Sequence, residues 1–347
     1  MEKLENQIWD NPFKDYKQDK YLLIAAGEGA RNIKMPDGSI VNCSDIKRDL
    51  GYPQLFAWNL EPKPLLEWVK YLNEHPECPC KLVVDSGAYS MWSRGKKFDM
   101  DEYINFLNSN NVIDTCFWAA EADVIPGSMG VDPTEEERAA APEKSWENYL
   151  YMIDRVKYPK KIVPIFHQGE DFKHLKRMLE YKFKDGEHIP YIGISPRNDV
   201  HVNEKMDWYE VVWKIIRESS NPNVLTHNFG MTTISLMEQY PSCTSDSTSW
   251  IRSASFGNIM IVVNGKIKTI YVSNRNPDSP DHYNHQSKAI QEAVKKAAKD
   301  LNCGITVDDL INDENGSLRM VWNLYSLNKW ASEFKYEGNE VFKNELW

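Results

Sequence analysis

The sequence predicts an α/β fold, a (β/α)8 barrel of the TIM type carrying a helical C-terminal extension. Three observations lead there. Short apolar runs recur at roughly 30-residue intervals, each too short for a helix. Most are followed by a stretch with apolar residues at helical spacing, and such alternation implies a parallel sheet with helical crossovers. There are eight of these runs, and most end abruptly in polar residues or glycine, which a barrel would gather on the face where barrel ligands bind.

Residues 1–20 are polar apart from Trp9, Pro12 and Phe13, and read as an irregular arm before a barrel domain over 21–275. Residues 21–27 form the first strand, running into a loop with Gly27 and Gly29. That pair lacks the third glycine of a dinucleotide fingerprint. Residues 31–60 read as an insertion with a turn at Pro36-Asp37-Gly38. Leu65, Leu66, Trp68, Val69 and Leu72 mark a helix. The second strand is Lys81-Leu82-Val83-Val84-Asp85, and Asp85 either caps the following turn or faces a ligand.

Asp99-Met100-Asp101-Glu102 opens the next helix. The third strand is 116–120, and the acidic run 133–137 starts a helix whose dipole it suits, with a second helix over 145–156. Strand four is 161–166 with a helix over 172–181, strand five 190–195 with a helix over 208–216, and strand six 223–227 with a helix over 233–239. Residues 243–250 give a polar seventh strand and 259–263 the eighth. Residues 276–347 are the extension, helical over 286–301 and 318–334 and rich in Trp and Tyr.

At 347 residues the chain suits one large barrel or two ordinary domains. It has no apolar run long enough to cross a bilayer and no apolar signal core near Met1, so a cytoplasmic protein with no membrane partner is expected. The six cysteines are scattered and read as free thiols. Cys78-Pro79-Cys80 has the wrong spacing for a zinc finger. The net charge of −10 argues against holding nucleic acid by bulk attraction. The whole deficit lies in the first 250 residues, which leaves room for a local basic surface such as Arg94-Gly95-Lys96-Lys97.

The strand ends offer Asp85 with Tyr89, Asp123, His167 with Gln168, Gly193, Phe229-Gly230 and Asp246. Carboxylates, an amide, glycines and aromatic faces suit a flat polar heterocycle. Two further carboxylates can run displacement at a sugar carbon, one as nucleophile and one as acid/base. His167 and His227 read equally well as hydrogen-bonded strand-end residues.

Asp85-Ser86-Gly87-Ala88-Tyr89 resembles the DSGG(F/Y) motif of tRNA-guanine transglycosylases. The Asp123 segment, Phe166-His167-Gln168-Gly169, Tyr191-Ile192-Gly193-Ile194 and Phe229-Gly230 follow in that family's order. Residues 244–250 resemble the nucleophile segment of the transglycosylase-like proteins of bacteriophages, which are associated with placing 7-deazaguanines in DNA. The resemblance spans roughly residues 21–265. It implies a pentosyltransferase in which Asp246 attacks C1′ of a guanosine nucleotide and Asp85 is the general acid/base. It implies that Tyr89 stacks on the base, that Asp123, Gln168 and the Gly193 backbone read its edge, and that Gly230 leaves room for it. Ser86, Gly169 and Phe229 would complete the pocket.

The tRNA enzymes also carry a CxCxxC…H zinc site after the nucleophile. Here only Cys303 lies beyond Cys243, so the resemblance implies no metal and no cofactor, and favours DNA over tRNA as partner, beside a free 7-deazaguanine of the preQ0 or preQ1 type. A two-carboxylate barrel glycosidase and a non-catalytic nucleobase-binding module are the rival readings. The oligomeric state is not legible.

Overall fold

The computed structural model describes residues 1–18, 22–128, 130–231, 233–240 and 242–334. Tyr21 of the expected first strand and residues 335–347 of the expected extension lie outside them. The described residues hold thirteen strands: β1 (Leu22–Ala25), β2 (Ile33–Lys34), β3 (Ile40–Val41), β4 (Gln54–Ala57), β5 (Leu82–Asp85), β6 (Trp118–Ala120), β7 (Ile162–Val163), β8 (Ile165–His167), β9 (Tyr191–Ser195), β10 (Leu225–Asn228), β11 (Thr244–Ser247), β12 (Asn258–Val263) and β13 (Lys266–Tyr271). The architecture is mixed α/β with two parallel sheets, one in the order β1-β11-β10-β9-β8 and one in the order β4-β5-β6-β7.

Only Pro164 separates β7 from β8. Proline has no N–H to give a ladder. Its carbonyl still accepts from Gly193 N–H at 2.8 Å. Glu121, fully buried just past β6, accepts the next N–H, that of Ile165, at 2.6 Å. A side chain thus stands in where the sheet cannot pair. At the other edges, β1 and β4 lie side by side. The buried Lys47 ties them: its ammonium donates to the carbonyls of Ala25 (3.1 Å) and Gly27 (2.5 Å) and to Gln54 Oε1 (2.5 Å). Three oxygen acceptors make burial of that cation tolerable.

Alternation along the strands divides the core in two. Leu82 and Val84 of β5 join the layer between sheet and helices. Val83 joins an inner cluster with Ile24, Leu55, Trp118, Val163, Ile165, Tyr191, Leu225 and Cys243, drawn from or beside the strands of both sheets. Phe13 of the N-terminal arm enters this cluster, edge-on to Phe117 at 5.2 Å and tilted against Tyr191 at 5.0 Å. Gln18 Oε1 accepts from Thr226 N–H at 2.8 Å. The arm is irregular, as expected, yet it plugs the core.

Two elements depart from expectation. Residues 31–60 are not a plain insertion: they hold the β2–β3 hairpin, a helix (Cys43–Asp49) and β4. β4 is four residues long and buried throughout, so it carries no alternation to reveal it. Residues 259–263 are not a parallel strand. β12 pairs antiparallel with β13, and Asn264 (φ 53°) and Gly265 (φ 75°) form the turn. Two positive φ values are what a two-residue hairpin needs. The two helices expected over 133–156 are one, Glu135–Ile153, opened by a Thr134/Glu137 capping box and containing Pro142.

The last described helix, Ser317–Glu333, packs on β12, on the helix Ser249–Ser255 and on β1. Trp322 and Trp330 are buried, so these rings are core and offer no stacking surface. No helix among the described residues is long and apolar enough to cross a membrane.

Candidate active site

The parallel strands deliver their polar ends to one region. Asp85 is the last residue of β5, Asp123 lies three residues past β6, His167 ends β8, and Asp246 is the third residue of β11. Asp85 is close enough to feel the charges of both Asp123 and Asp246. Burial pushes the Asp85 carboxyl up to about 6. The Gly87 N–H opposes this, and the negative charges of Asp123, Asp246 and Glu61 add to it. Asp85 Oδ1 accepts from that N–H at 2.9 Å.

Each of the other two aspartates meets a histidine. His227 Nε2 is 3.3 Å from Asp246 Oδ1, and Gly230 N–H donates to the same oxygen at 2.6 Å. His227 is fully buried. Its Nδ1 is 2.7 Å from Thr244 Oγ1, which is 2.6 Å from Tyr191 Oη. One assignment of hydrogens satisfies the first two links, Tyr191 donating to Thr244 and Thr244 to Nδ1, and leaves Nε2–H on the side of Asp246 without a hydrogen bond of good geometry. Burial holds the His227 imidazole below its usual pKa, against the pull of Asp246.

His167 Nε2 lies 3.1 Å from Asp123 Oδ2. Burial alone would lower the His167 pKa, but its contact with Asp123 and the charges of Asp123 and Glu170 together raise it. Burial raises the Glu170 carboxyl, and raises the Glu121 carboxyl well above the ordinary range.

The expected base-binding residues divide. Phe229 sits beside Asp246, its ring 4.3 Å from that of His227 and 5.9 Å from that of Trp118. Tyr89 is 61% exposed and its ring lies 5.5 Å from that of the half-buried Trp92. Gly230 holds φ +59° and aims its N–H at Asp246.

Gly193 serves differently from expectation. A Cβ there would lie 2.5 Å from the Phe229 ring, so its smallness admits that side chain, and its N–H is held by Pro164. Ser86 is fully buried, and its hydroxyl caps Ala88 N–H at 3.3 Å. The Gln168 amide is engaged by Arg197 N–H at 3.0 Å and the Glu204 carbonyl at 3.4 Å. Gly169 is exposed with φ +106°.

Sequence reasoning gave no role to Glu121, Glu170, Asn59 or Trp118, and weighed both histidines as structural. The usable signal was position: His167 and His227 occupy the same strand ends as the residues singled out. Gly29 makes room for the buried Trp250, whose ring a Cβ would approach to 2.4 Å, so the Gly27/Gly29 pair is a packing feature.

Among the described residues no group of three or more His, Cys, Asp or Glu is placed to hold a metal ion. None of the six cysteines forms a disulfide, and only Cys78 is not buried. A cavity of about 370 Å³ lies at the opposite end of the sheets, against Cys80, Lys81, Phe117 and Lys161, and touches none of the strand-end carboxylates.

Gly87 is the hinge of the Asp85 turn. Its φ is +69°, and a Cβ would lie 2.1 Å from Asn59 Oδ1, whose amide donates to the Gly87 carbonyl at 3.1 Å. Gly87→Ala is expected to destabilise the fold by about 1–3 kcal/mol through strain and lost contact. Gly95 has a similar φ of +63° with open space around it, so Gly95→Ala should cost less. Urea unfolding midpoints check this, and equal losses in the two variants would remove the role given to Asn59.

These features define the chain as an α/β protein with three carboxylates and two histidines converging at the ends of parallel strands. Compared with protein-family models and with curated proteins, it has no significant match.

Proposed function

We propose that the chain is a base-exchange transglycosylase that replaces guanine in DNA with a 7-deazaguanine through a covalent glycosyl-aspartate. We also propose that the two sheets close into one eight-stranded barrel, with β7 and β8 as one strand broken at Pro164 and β4 in the place first given to residues 259–263. The adjacency of β1 and β4 and the shared inner cluster support that closure.

One observation carries the functional reading: Asp85 and Asp246 meet in one site with unlike environments. One oxygen of Asp246 is fixed by the Gly230 N–H and faced by His227, which suits a carboxylate that must attack along one line. Asp85 is held near 6, which suits a group that gives and takes a proton near neutral pH. Two carboxyls with different environments and different tasks are a known division of labour.

The exchange then runs in two displacements. Asp246 attacks C1′ of the nucleotide, the bond from C1′ to guanine breaks, and guanine leaves with a proton from Asp85. The incoming deazaguanine gives its ring N–H proton to Asp85, and the freed nitrogen attacks C1′ and releases Asp246. One glycosidic bond is broken and one formed, so no nucleotide energy source is consumed. Phe229 offers the base a ring face, and Asp123, oriented by His167, faces its hydrogen-bonding edge. The target nucleotide must leave its stack to arrive. Such a protein works in the cytoplasm, that of the host where a phage encodes it.

The test is mass spectrometry of nucleosides from the DNA and tRNA of cells that express the chain and are supplied with a deazaguanine. Deazaguanine deoxynucleoside in DNA is the expected result. Label in tRNA alone would transfer the reading to tRNA, and release of reducing sugar without label would make the chain a hydrolase.

A further inference from the structure

The site repels the polymer it is proposed to act on. Asp85, Asp123, Asp246, Glu61 and Glu170 crowd one region, and the chain carries a net charge of −10. A phosphodiester strand therefore needs a local cationic hold outside the carboxylates.

The turn that follows the Asp85 strand supplies one. The helix Ala88–Ser93 begins three residues after Asp85 and ends in Arg94-Gly95-Lys96-Lys97. All four residues are exposed. The turn is fixed: Lys96 N–H donates to the Met91 carbonyl at 2.9 Å, and Gly95 N–H to the Trp92 carbonyl at 2.9 Å. With Gly95 at φ +63°, this is the paired 6→1 and 5→2 bonding of a Schellman cap. Among the described residues, no carboxylate is within ion-pairing distance of Arg94, Lys96 or Lys97, although Arg31, Lys157, Arg177 and Arg197 all have one. The same short helix carries the exposed Tyr89 ring and Trp92, whose indole N–H is anchored on the Gly127 carbonyl at 2.7 Å.

We propose that the Arg94–Lys97 turn is the backbone clamp of this protein: Arg94, Lys96 and Lys97 hold DNA phosphates flanking the target nucleotide, with Tyr89 and Trp92 as the stacking platform beside it. The clamp rests on the DNA transglycosylase reading. Three cations on a hydrogen-bonded turn are pre-organised, so little ordering opposes phosphate binding. An exposed tyrosine backed by a half-buried tryptophan next to such a stripe matches the make-up of strand-binding surfaces.

The experiment measures binding of the full chain to a guanine-free DNA duplex across a salt series, which separates docking from exchange. The triple variant Arg94→Gln/Lys96→Gln/Lys97→Gln is expected to flatten the slope of log K against log salt by about 2–3, since each phosphate contact contributes roughly 0.7–0.9. Each single variant should account for about a third of that. An unchanged slope in the triple variant, with the parent binding DNA normally, overturns the clamp and leaves the exchange reading standing. A parent that binds no DNA overturns both. A flattened slope in a protein that never exchanges guanine keeps the clamp and sinks the transglycosylase. Loss of tRNA binding alone, with the DNA slope intact, also overturns the clamp as stated.

Discussion

Asp246→Asn is expected to abolish guanine exchange and any covalent protein–DNA adduct. The reason is chemical: an amide oxygen is a poor nucleophile, and no other group in the proposed mechanism bonds to C1′. The geometry makes the variant informative. An asparagine is isosteric, and its carbonyl oxygen can still accept from Gly230 N–H and face His227, as Asp246 Oδ1 does now. The fold and the base pocket should survive, so binding of the free deazaguanine should persist while chemistry stops. The readout is a denaturing gel after incubation with DNA and deazaguanine. An adduct surviving in Asp246→Asn would show that the nucleophile has been misassigned.

Asp85→Asn is expected to slow exchange by about 10²–10⁴-fold, the range for loss of a general acid/base. A trace of adduct should still form, because the attacking carboxylate remains. If the adduct vanishes here and persists in Asp246→Asn, the two roles are reversed. The parent's pH profile tests the same assignment. Asp85 is held up near 6, chiefly by burial. Protonated Asp85 is needed to release guanine and ionised Asp85 to take the proton of the incoming base, so exchange should be greatest near pH 6, where this ionisation has its inflection, and fall on either side. Asp123→Asn removes one of the like charges that raise Asp85, so it should move the inflection to lower pH. An inflection that stays put would mean that the two carboxyls do not sense each other. Stability moves the other way. The folded pKa exceeds the unfolded one, so the stabilisation Asp85 gives at low pH is lost as pH rises through about 6.

Much of this was legible in the chain itself. A strand written as Leu82-Val83-Val84 and stopped by Asp85-Ser86-Gly87 declares its own end, since the change from apolar to polar and the glycine are both local. β10 ends in the same way at Asn228-Phe229-Gly230, whereas β11 is polar throughout. A parallel arrangement then brings Asp85, Asp123 and Asp246 to one side without any further information. The Asp85 turn was also readable: Gly87 does adopt the left-handed conformation that glycine permits.

Tertiary structure decided what depends on partners distant in sequence. β4 is a strand because Gln54–Ala57 finds β5 on one side and β1 on the other, and a buried four-residue run has no period to announce that. Residues 259–263 carry a stronger strand signal than β4, yet β13 captures them through a local turn, where closing the loop costs least entropy. The Gly193 backbone was expected at the edge of a base, but its smallness admits Phe229, thirty-six residues on, and its N–H is taken by Pro164. Ser86 and Gln168 found hydrogen-bond partners within the protein, Ala88 N–H and Arg197 N–H. The histidines were undecided for the same reason. His227 reaches Asp246, and His167 reaches Asp123, across strands that meet only in the folded sheets. The sequence by itself determined which residues end the strands, because period and termination are local properties of the chain. Only the tertiary structure decided which of those residues touch, and so which carboxyl faces a histidine and which is pushed up to about 6. Burial and neighbouring charge belong to the packed molecule.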